Sequence, residues 1–265
     1  MPTTINRYCR LIETIFTKHY QPGDREVVFV RAELNQVAQE LGIELPKNLG
    51  DIVYTFRYRG ELPKSITDKA PPDHEWVLRP AGRSRYRLAL TRAVKIIPSS
   101  ALVDTKIPDG TPGIIARYAL NDEQALLARL RYNRLIDIFT GLTCYSLQSH
   151  LRTTVPGVGQ VETDEVYVAV DKRGVHYVIP VQAKGINEKI GIGQIEQDIA
   201  MCAVKFPDLV CRPIAAQSIS EKTIAMFELE ETADGIAVSS ERHYCLVQRH
   251  ELSPEDLKAY QQRLA

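Results

Sequence analysis

The chain has 265 residues, 44% of them hydrophobic and 25% charged, and its formal net charge is zero. This composition is ordinary for a folded globular protein with room for two modest domains, and the zero net charge argues against a protein that coats a polyanion. The average hides an asymmetry, because residues 1–120 hold 18 Lys and Arg against 13 Asp and Glu, whereas residues 121–265 hold 15 against 20.

The sequence carries no obvious export or membrane signal. The N-terminus lacks the apolar core of a signal peptide, and no apolar stretch approaches the length of a membrane span. The five cysteines are dispersed in mostly apolar settings without the spacing of a zinc site. We therefore expect a cytoplasmic protein with reduced cysteines and no membrane contact.

Residues 1–94 predict three helices followed by a β-hairpin. Apolar periodicity marks helices at 6–19, 31–41 and 48–59, and strands at 75–79 and 86–90 flank an arginine-rich turn. This order is typical of a winged-helix DNA-binding domain, in which the third helix enters the major groove and the hairpin meets phosphate or the minor groove. The predicted DNA contacts are Lys47, Arg57, Arg59, Arg83, Arg85 and Arg87. The alternative is a small packing domain with solvated arginines, and Tyr54 and Tyr58 could equally pack into its core.

Residues 121–265 predict a second domain, preceded at 95–120 by a segment whose prolines, serines and glycines favour a linker or an irregular connection. A helix capped by Asn121 is predicted to run to Gly141. The predicted elements that follow are a strand at 149–155, a central hairpin turning at 172–174, a helix at 193–205, strands at 208–216, 222–230 and 236–247, and a last helix capped by Ser253.

The central hairpin carries the most informative polar residues of the chain. Residues 172–174 fit a three-residue loop whose last residue, a glycine, takes the left-handed position. That loop pairs Asp164 with Gln182 and Glu162 with Lys184, on one face of an otherwise apolar sheet. A four-residue loop would split these side chains between the two faces, so the three-residue loop is the better interpretation.

Carboxylates in an apolar sheet need a partner or a metal ion. Mg²⁺ takes oxygen ligands and keeps several waters, so one or two carboxylates and a substrate phosphate are enough to hold it. Lys184 beside such a metal could orient or help deprotonate an attacking water and stabilise transition-state charge. The alternative is a cross-strand ion pair between Glu162 and Lys184 at the sheet margin, with Asp164 solvated.

The spacing of Asp164 and Gln182-Ala183-Lys184 resembles the PD-(D/E)xK superfamily of restriction-endonuclease-like nucleases. The predicted order over residues 121–217, which is helix, strand, strand, strand, helix, strand, is similar to the order that this superfamily uses. The resemblance implies an α/β (α+β) fold with a mixed-sheet core, Mg²⁺ as the cofactor, and metal ligation by Asp164 and the backbone carbonyl of Ala183.

One position departs from the superfamily pattern, because Gln182 stands where an acid is usual, a variant that resembles Mrr-type nucleases. A neutral amide oxygen is a weaker ligand than a carboxylate, and Glu162 on the same predicted face could supply the missing charge as a metal ligand. The expected catalytic residues are Asp164, Gln182, Lys184 and Glu162. The resemblance also places Gln194 near the site, the alternative being an ordinary polar helix face. Glu123 is a possible helical acid that equally suits the helix dipole, and we leave it unassigned.

These patterns together predict a two-domain, Mg²⁺-dependent DNA endonuclease, most like a type II restriction enzyme. A winged-helix-like domain at 1–94 would be joined through 95–120 to a nuclease domain at 121–265. The resemblance implies hydrolysis of double-stranded DNA that leaves a 5′-phosphate, and double-strand cutting implies a homodimer. The alternatives are a non-catalytic DNA-binding regulator with a degenerate nuclease fold, a nuclease for modified or branched DNA, and an RNA nuclease.

Overall fold

The computed structural model describes residues 4–58, 61–94, 96–118, 123–186, 188–233 and 235–263, and it shows a mixed α+β fold. The amino-terminal elements are α1 (Thr4–His19), β1 (Glu26–Val30), α2 (Arg31–Leu41), α3 (Gly50–Tyr58), α4 (Lys64–Thr67), β2 (His74–Pro80) and β3 (Arg85–Arg92). The remaining elements are β4 (Thr105–Pro108), α5 (Gly113–Tyr118), α6 (Glu123–Tyr132), α7 (Leu135–Thr140), β5 (Thr143–Val155), β6 (Gly159–Val170), β7 (His176–Lys184), α8 (Ile192–Lys205), β8 (Val210–Cys211), β9 (Ile214–Ser218), β10 (Thr223–Thr232), β11 (Gly235–Val247) and α9 (Pro254–Gln261).

The amino-terminal elements build a helical layer on a three-stranded antiparallel sheet of order β1-β3-β2. The apolar stripe of α1 is buried against the sheet, as the helical spacing predicts. The three helices and the hairpin predicted from the sequence are confirmed, whereas β1 and the short α4 are missed. The missed strand is five residues long and alternates buried Val27 and Phe29 with exposed neighbours, a pattern too brief to be distinguished from the start of α2.

The second sheet is mixed and has the order β4-β11-β10-β9-β7-β6-β5, with β8 pairing onto β7. Its β7–β9 and β4–β11 neighbours are parallel, and the other neighbours in this order are antiparallel. One face packs on α6 and α7, and the other packs on α8. The helix, strand, strand, strand, helix, strand order predicted from the sequence is present in α6, β5, β6, β7, α8 and β9.

The register of the central hairpin is confirmed. The Asp171 N–H donates to the Val175 carbonyl at 3.1 Å, the Gly174 N–H donates to the Asp171 carbonyl at 3.0 Å, and Gly174 has φ +83°. The β6–β7 ladder runs from Val170 opposite His176 to Glu165 opposite Val181. The predicted pairs of Asp164 with Gln182 and of Glu162 with Lys184 continue this register, one and three positions beyond the last ladder pair.

Three sequence predictions of secondary structure need correction. The single helix predicted up to Gly141 is two helices, because Arg134 adopts φ +50° and breaks it between α6 and α7, and its predicted cap Asn121 is outside the described residues. The strand predicted at 208–216 is divided into β8 and β9 around Pro213, which has no backbone N–H to donate. The predicted linker contributes β4, which pairs in parallel with β11.

The two layered units contact each other through α8. Helix α3 and strand β2 pack on α8, and the Arg79 guanidinium forms a bidentate ion pair with the Glu196 carboxylate, with Nε to Oε2 at 2.8 Å. Among the helices in the described ranges, none is long and apolar enough to cross a membrane.

Candidate active site

Asp164 is a buried carboxylate just beyond the end of the β6–β7 hydrogen-bond ladder, where its side chain bonds the backbone of β7. Its Oδ2 accepts the backbone N–H of Ala183 at 2.8 Å, two residues past Val181 of the last β6–β7 ladder pair, and the side chain is 8% exposed. Burial raises its pKa above the ordinary value, and the nearby carboxylate of Glu123 raises it further, although the Ala183 N–H and the charge of Lys184 act in the opposite direction. The Ala183 N–H and the charge of Lys184 therefore do not fully offset the cost of burying the ionised Asp164 side chain.

Lys184, the last residue of β7, contributes its ammonium group to the same site and is bonded to helix α6. Its Nζ donates to Oε1 of Glu123, the first residue of α6, at 2.7 Å. Burial alone would lower the pKa of Lys184, but the hydrogen bond and the charge of Glu123, together with the charge of Asp164, raise it above its ordinary value. Lys184 is therefore an ammonium ion at neutral pH, which suits a donor that orients a water or stabilises an anion better than it suits a general base.

Gln182 is fully buried and belongs to a polar network that reaches α8. Its Nε2 donates to Oδ2 of Asp198 at 2.8 Å, and its Oε1 accepts from Nε2 of Gln194 at 3.3 Å. Asp198 also accepts from the Thr163 hydroxyl at 2.5 Å. Burial is the main reason why the pKa of Asp198 is raised to about 7, and the hydrogen bonds from Thr163 and Gln182 hold it from rising further.

Glu162 is placed differently from the other predicted site residues. Its Oε1 accepts from the Arg152 guanidinium at 2.9 Å, and its Oε2 lies 3.5 Å from the hydroxyl of Tyr54 on α3. Its carboxylate is therefore engaged at the boundary with the amino-terminal unit. The structure brings Asp164, Gln182 and Lys184 together, and Glu162 contributes to that group through its backbone carbonyl, which lies 3.4 Å from Nε2 of Gln182.

The donors around Asp164 fit a hard cation. Within the ranges that the structure describes, no group of three or more His, Cys, Asp or Glu side chains is arranged to hold a metal ion. Mg²⁺ nevertheless needs only one or two protein carboxylates, and the raised pKa of Asp164 indicates a charge that a cation would offset. The Ala183 carbonyl faces β6 as well, because the N–H and the C=O of one strand residue point to the same side. Asp164, this carbonyl and Glu123 are the groups that would hold the ion.

The predicted DNA-contacting residues are only partly available to a ligand. Lys47, Arg83 and Arg85 are exposed, at the loop before α3 and at the β2–β3 turn. Arg87 forms a 3.4 Å ion pair with Glu26, and Arg57 is partly buried in α3. Arg59 is outside the described residues.

Two buried acids were not identified by the sequence analysis. Asp198 lies one turn beyond the predicted Gln194 and faces the same sheet, so helical spacing from Gln194 could have found it. Glu165 follows Asp164 directly and is fully buried, and its Oε1 accepts from Arg131 at 2.7 Å and from Ser146 at 2.5 Å. Arg131, one of two basic residues in the last turn of α6, was the signal for a cation partner of Glu165.

Comparison with known proteins gives no independent assignment. A scan against protein-family models and searches of curated proteins and of solved structures all return no match to this chain.

Proposed function

We propose that the protein is a Mg²⁺-dependent DNA endonuclease that hydrolyses phosphodiester bonds at the Asp164 site, most like a type II restriction enzyme acting on double-stranded DNA. One observation carries the proposal. A buried aspartate on β6 is bonded to the backbone of β7 one residue before a buried lysine, and an acid at the start of α6 contacts that lysine. The helix and strand order that presents these residues is the order expected of a PD-(D/E)xK core.

The chain's own groups suit this reaction. Asp164, the Ala183 carbonyl and Glu123 would hold the metal, and Glu123 also accepts a hydrogen bond from Lys184. Bound Mg²⁺ would supply the positive charge that polarises the phosphodiester and acidifies the attacking water. Lys184, held as an ammonium ion by Glu123, would donate a hydrogen bond to that water or to a phosphate oxygen. Gln182 would place its amide oxygen at the position where a carboxylate is usual.

The amino-terminal unit supports a DNA substrate. Its elements follow the order helix, strand, two helices, a short helical turn and a hairpin, with a sheet of order β1-β3-β2, which favours a winged helix. In this proposal the β2–β3 turn would contact phosphate through Arg83 and Arg85, whereas α3 packs on α8 and has Asp51 as its only exposed residue among residues 50–57, so it is not assigned to the major groove. Because Tyr54 of α3 lies beside Glu162, the DNA bound by this unit would pass close to the hairpin site.

Cleavage of plasmid DNA tests the proposal. Wild-type protein is incubated with methylated and unmethylated plasmid in Mg²⁺ or in EDTA, beside Lys184→Ala and the matched control Lys172→Ala in the exposed loop of the same hairpin. We expect discrete Mg²⁺-dependent fragments from wild type and Lys172→Ala, and a rate about 10² to 10³ times lower from Lys184→Ala. Intact DNA under every condition, despite sequence-selective binding, would instead identify a non-catalytic regulator. Cleavage confined to methylated DNA, branched DNA or RNA would replace unmodified double-stranded DNA with that substrate in the proposal.

The DNA-binding half has its own test. The double variant Arg83→Ala with Arg85→Ala is compared with Lys69→Ala, which removes an exposed charge elsewhere in the same unit. Loss of two phosphate contacts should lower the slope of log affinity against log salt concentration by about 2, and the Lys69 control should leave it unchanged. Equal slopes in all three proteins would remove the β2–β3 turn from the interface. Light scattering with and without DNA tests the homodimer that double-strand cutting requires.

A further inference from the structure

Asp198 is a fully buried acid whose presence the packing of α8 does not explain. It lies on the inner face of α8, against β6 and β7, with 0% of its surface exposed. Its carboxylate accepts hydrogen bonds from the Thr163 hydroxyl and the Gln182 amide, both of which are neutral. Neutral donors compensate a buried charge less well than a cation does, so the ionised form of this side chain is costly to keep in the core.

An asparagine at this position could make the same number of hydrogen bonds without a charge. The hydroxyl of Thr163 and the amide of Gln182 would each find a partner on a carboxamide. The structural requirement of the network is therefore met by a neutral side chain. The acid remains to be explained by what surrounds it, and the charged groups that act on its pKa are Asp164, which raises it, and Lys184, which lowers it, both of the candidate site.

In its ionised form the Asp198 carboxylate differs from an amide because it only accepts hydrogen bonds. Because Asp198 accepts, the NH₂ group of the Gln182 amide is the end that points to Asp198. The carbonyl oxygen of the same amide therefore points away from Asp198. Gln194, one turn earlier on the same helix, donates to that oxygen at 3.3 Å. Two side chains of one helix thus fix both ends of the Gln182 amide.

We infer that Asp198 is a positioning residue of the site: through Gln182 it supplies from α8 the second negative charge that position 182 itself lacks, and it fixes the oxygen of Gln182 as an acceptor. The inference rests on the proposed metal-dependent hydrolysis. In this arrangement the second negative charge of the site comes from Asp198 and not from Glu162, because the Glu162 carboxylate is bonded to Arg152 and lies beside Tyr54.

An exchange of acid and amide tests the inference. Asp198→Asn, Gln182→Glu and the double variant are compared with wild type, with Thr163→Val as the control that removes the other donor to Asp198 and leaves Gln182 intact. Asp198→Asn should lower the cleavage rate and the Mn²⁺ affinity by about 10 to 100 times without lowering Tm, because it removes a buried charge. Gln182→Glu alone should also impair both, because it sets two carboxylates against each other. The double variant should recover most of the loss, since acid and amide have only changed places.

The readouts separate this inference from the proposed function. Cleavage and Mn²⁺ affinity that stay at wild-type levels in Asp198→Asn, or losses that follow Tm and are not recovered in the double variant, overturn the role of Asp198 while the nuclease stands. A wild type that binds Mn²⁺ but cuts no DNA or RNA overturns the nuclease, and weaker Mn²⁺ binding by Asp198→Asn then supports Asp198 on its own. A wild type that neither binds Mn²⁺ nor cleaves overturns both.

Discussion

Two adjacent acids of β6, Asp164 and Glu165, are both buried and have different surroundings. Oε1 of Glu165 accepts from Nε and Nη2 of Arg131 and from the hydroxyl of Ser146, so a cation bonds it directly. Asp164 accepts a backbone N–H, and Lys184, whose charge lowers the pKa of Asp164, is bonded to Glu123. Burial by itself therefore does not identify a functional acid. The difference lies in the cation: Arg131 is bonded to Oε1 of Glu165, although Oε2 of Glu165 is buried without a hydrogen-bond partner among the described residues, whereas the lysine beside Asp164 is bonded to another acid.

The largest effect is expected from Asp164→Asn. Cleavage should fall by about 10³ times or more, because the variant loses the carboxylate proposed to hold the metal. The same variant should be at least as stable as wild type, because an acid whose pKa is raised on folding destabilises the folded state as the pH rises above its ordinary pKa. Cleavage rates and thermal unfolding at pH 6 and pH 8 measure the two effects. A variant that loses activity and stability together would place Asp164 with Glu165 as a structural acid.

Arg131→Ala should show the opposite pattern. It leaves Glu165 buried without its cation, and we expect a loss of about 2 to 3 kcal/mol in the free energy of unfolding, less than for a fully buried pair because Arg131 is partly exposed. Urea unfolding measures this loss. Adding Glu165→Gln should return part of it, because the stranded charge is removed. Cleavage per folded molecule should change little, and a loss as large as that of Asp164→Asn would break the distinction between the two acids.

The hairpin loop determines the register that places Asp164 near Ala183, and the positive φ of Gly174 allows the loop to take its three-residue form. Gly174→Ala should lower the free energy of unfolding by about 1 kcal/mol, because a residue with a Cβ is strained at φ +83°. Gly113→Ala is a matched control, since Gly113 has open space around it and no positive φ. Equal stability of the two variants in urea would show that the loop does not hold this register.

The smallest effect is expected from Asp171→Asn, a change at the start of the same loop that alters how stability depends on pH. Burial alone would raise the pKa of Asp171, but the N–H groups of Val175 and Arg173 and the guanidinium of Arg173 lower it to about 2. Because the folded pKa lies below the ordinary one, the stabilisation is present above about pH 4 and is lost as the pH falls from about 4 to about 2. Asp171→Asn should flatten the acid limb of a stability curve in that window and leave cleavage near neutral pH unchanged. An unaltered acid limb would remove Asp171 from the loop's stabilisation.

The sequence predicts what depends on local patterns. The loop register and the nearness of Asp164, Gln182 and Lys184 follow from period-two alternation and turn chemistry, the helix α8 follows from apolar residues at helical spacing, and the structure has all three. The place of Glu162 could not be predicted this way, because it depends on Arg152 of another strand and on α3 of another unit. Asp198 was missed for a related reason. Helical spacing puts Asp198 on the same face of α8 as Gln194, but its burial depends on the sheet beneath the helix, and the ladder that ends before Asp164 is a property of the assembled sheet.

Diffraction from crystals soaked in Mn²⁺ tests the central claim most directly, because the anomalous signal locates the ion without relying on catalysis. We predict a peak on the Asp164 carboxylate beside the Ala183 carbonyl, absent in crystals of Asp164→Asn that are soaked in the same way. A peak elsewhere with Asp164 unliganded, or no peak at millimolar Mn²⁺ with a DNA duplex bound, would contradict the assignment of Asp164 as the metal-holding acid of the site.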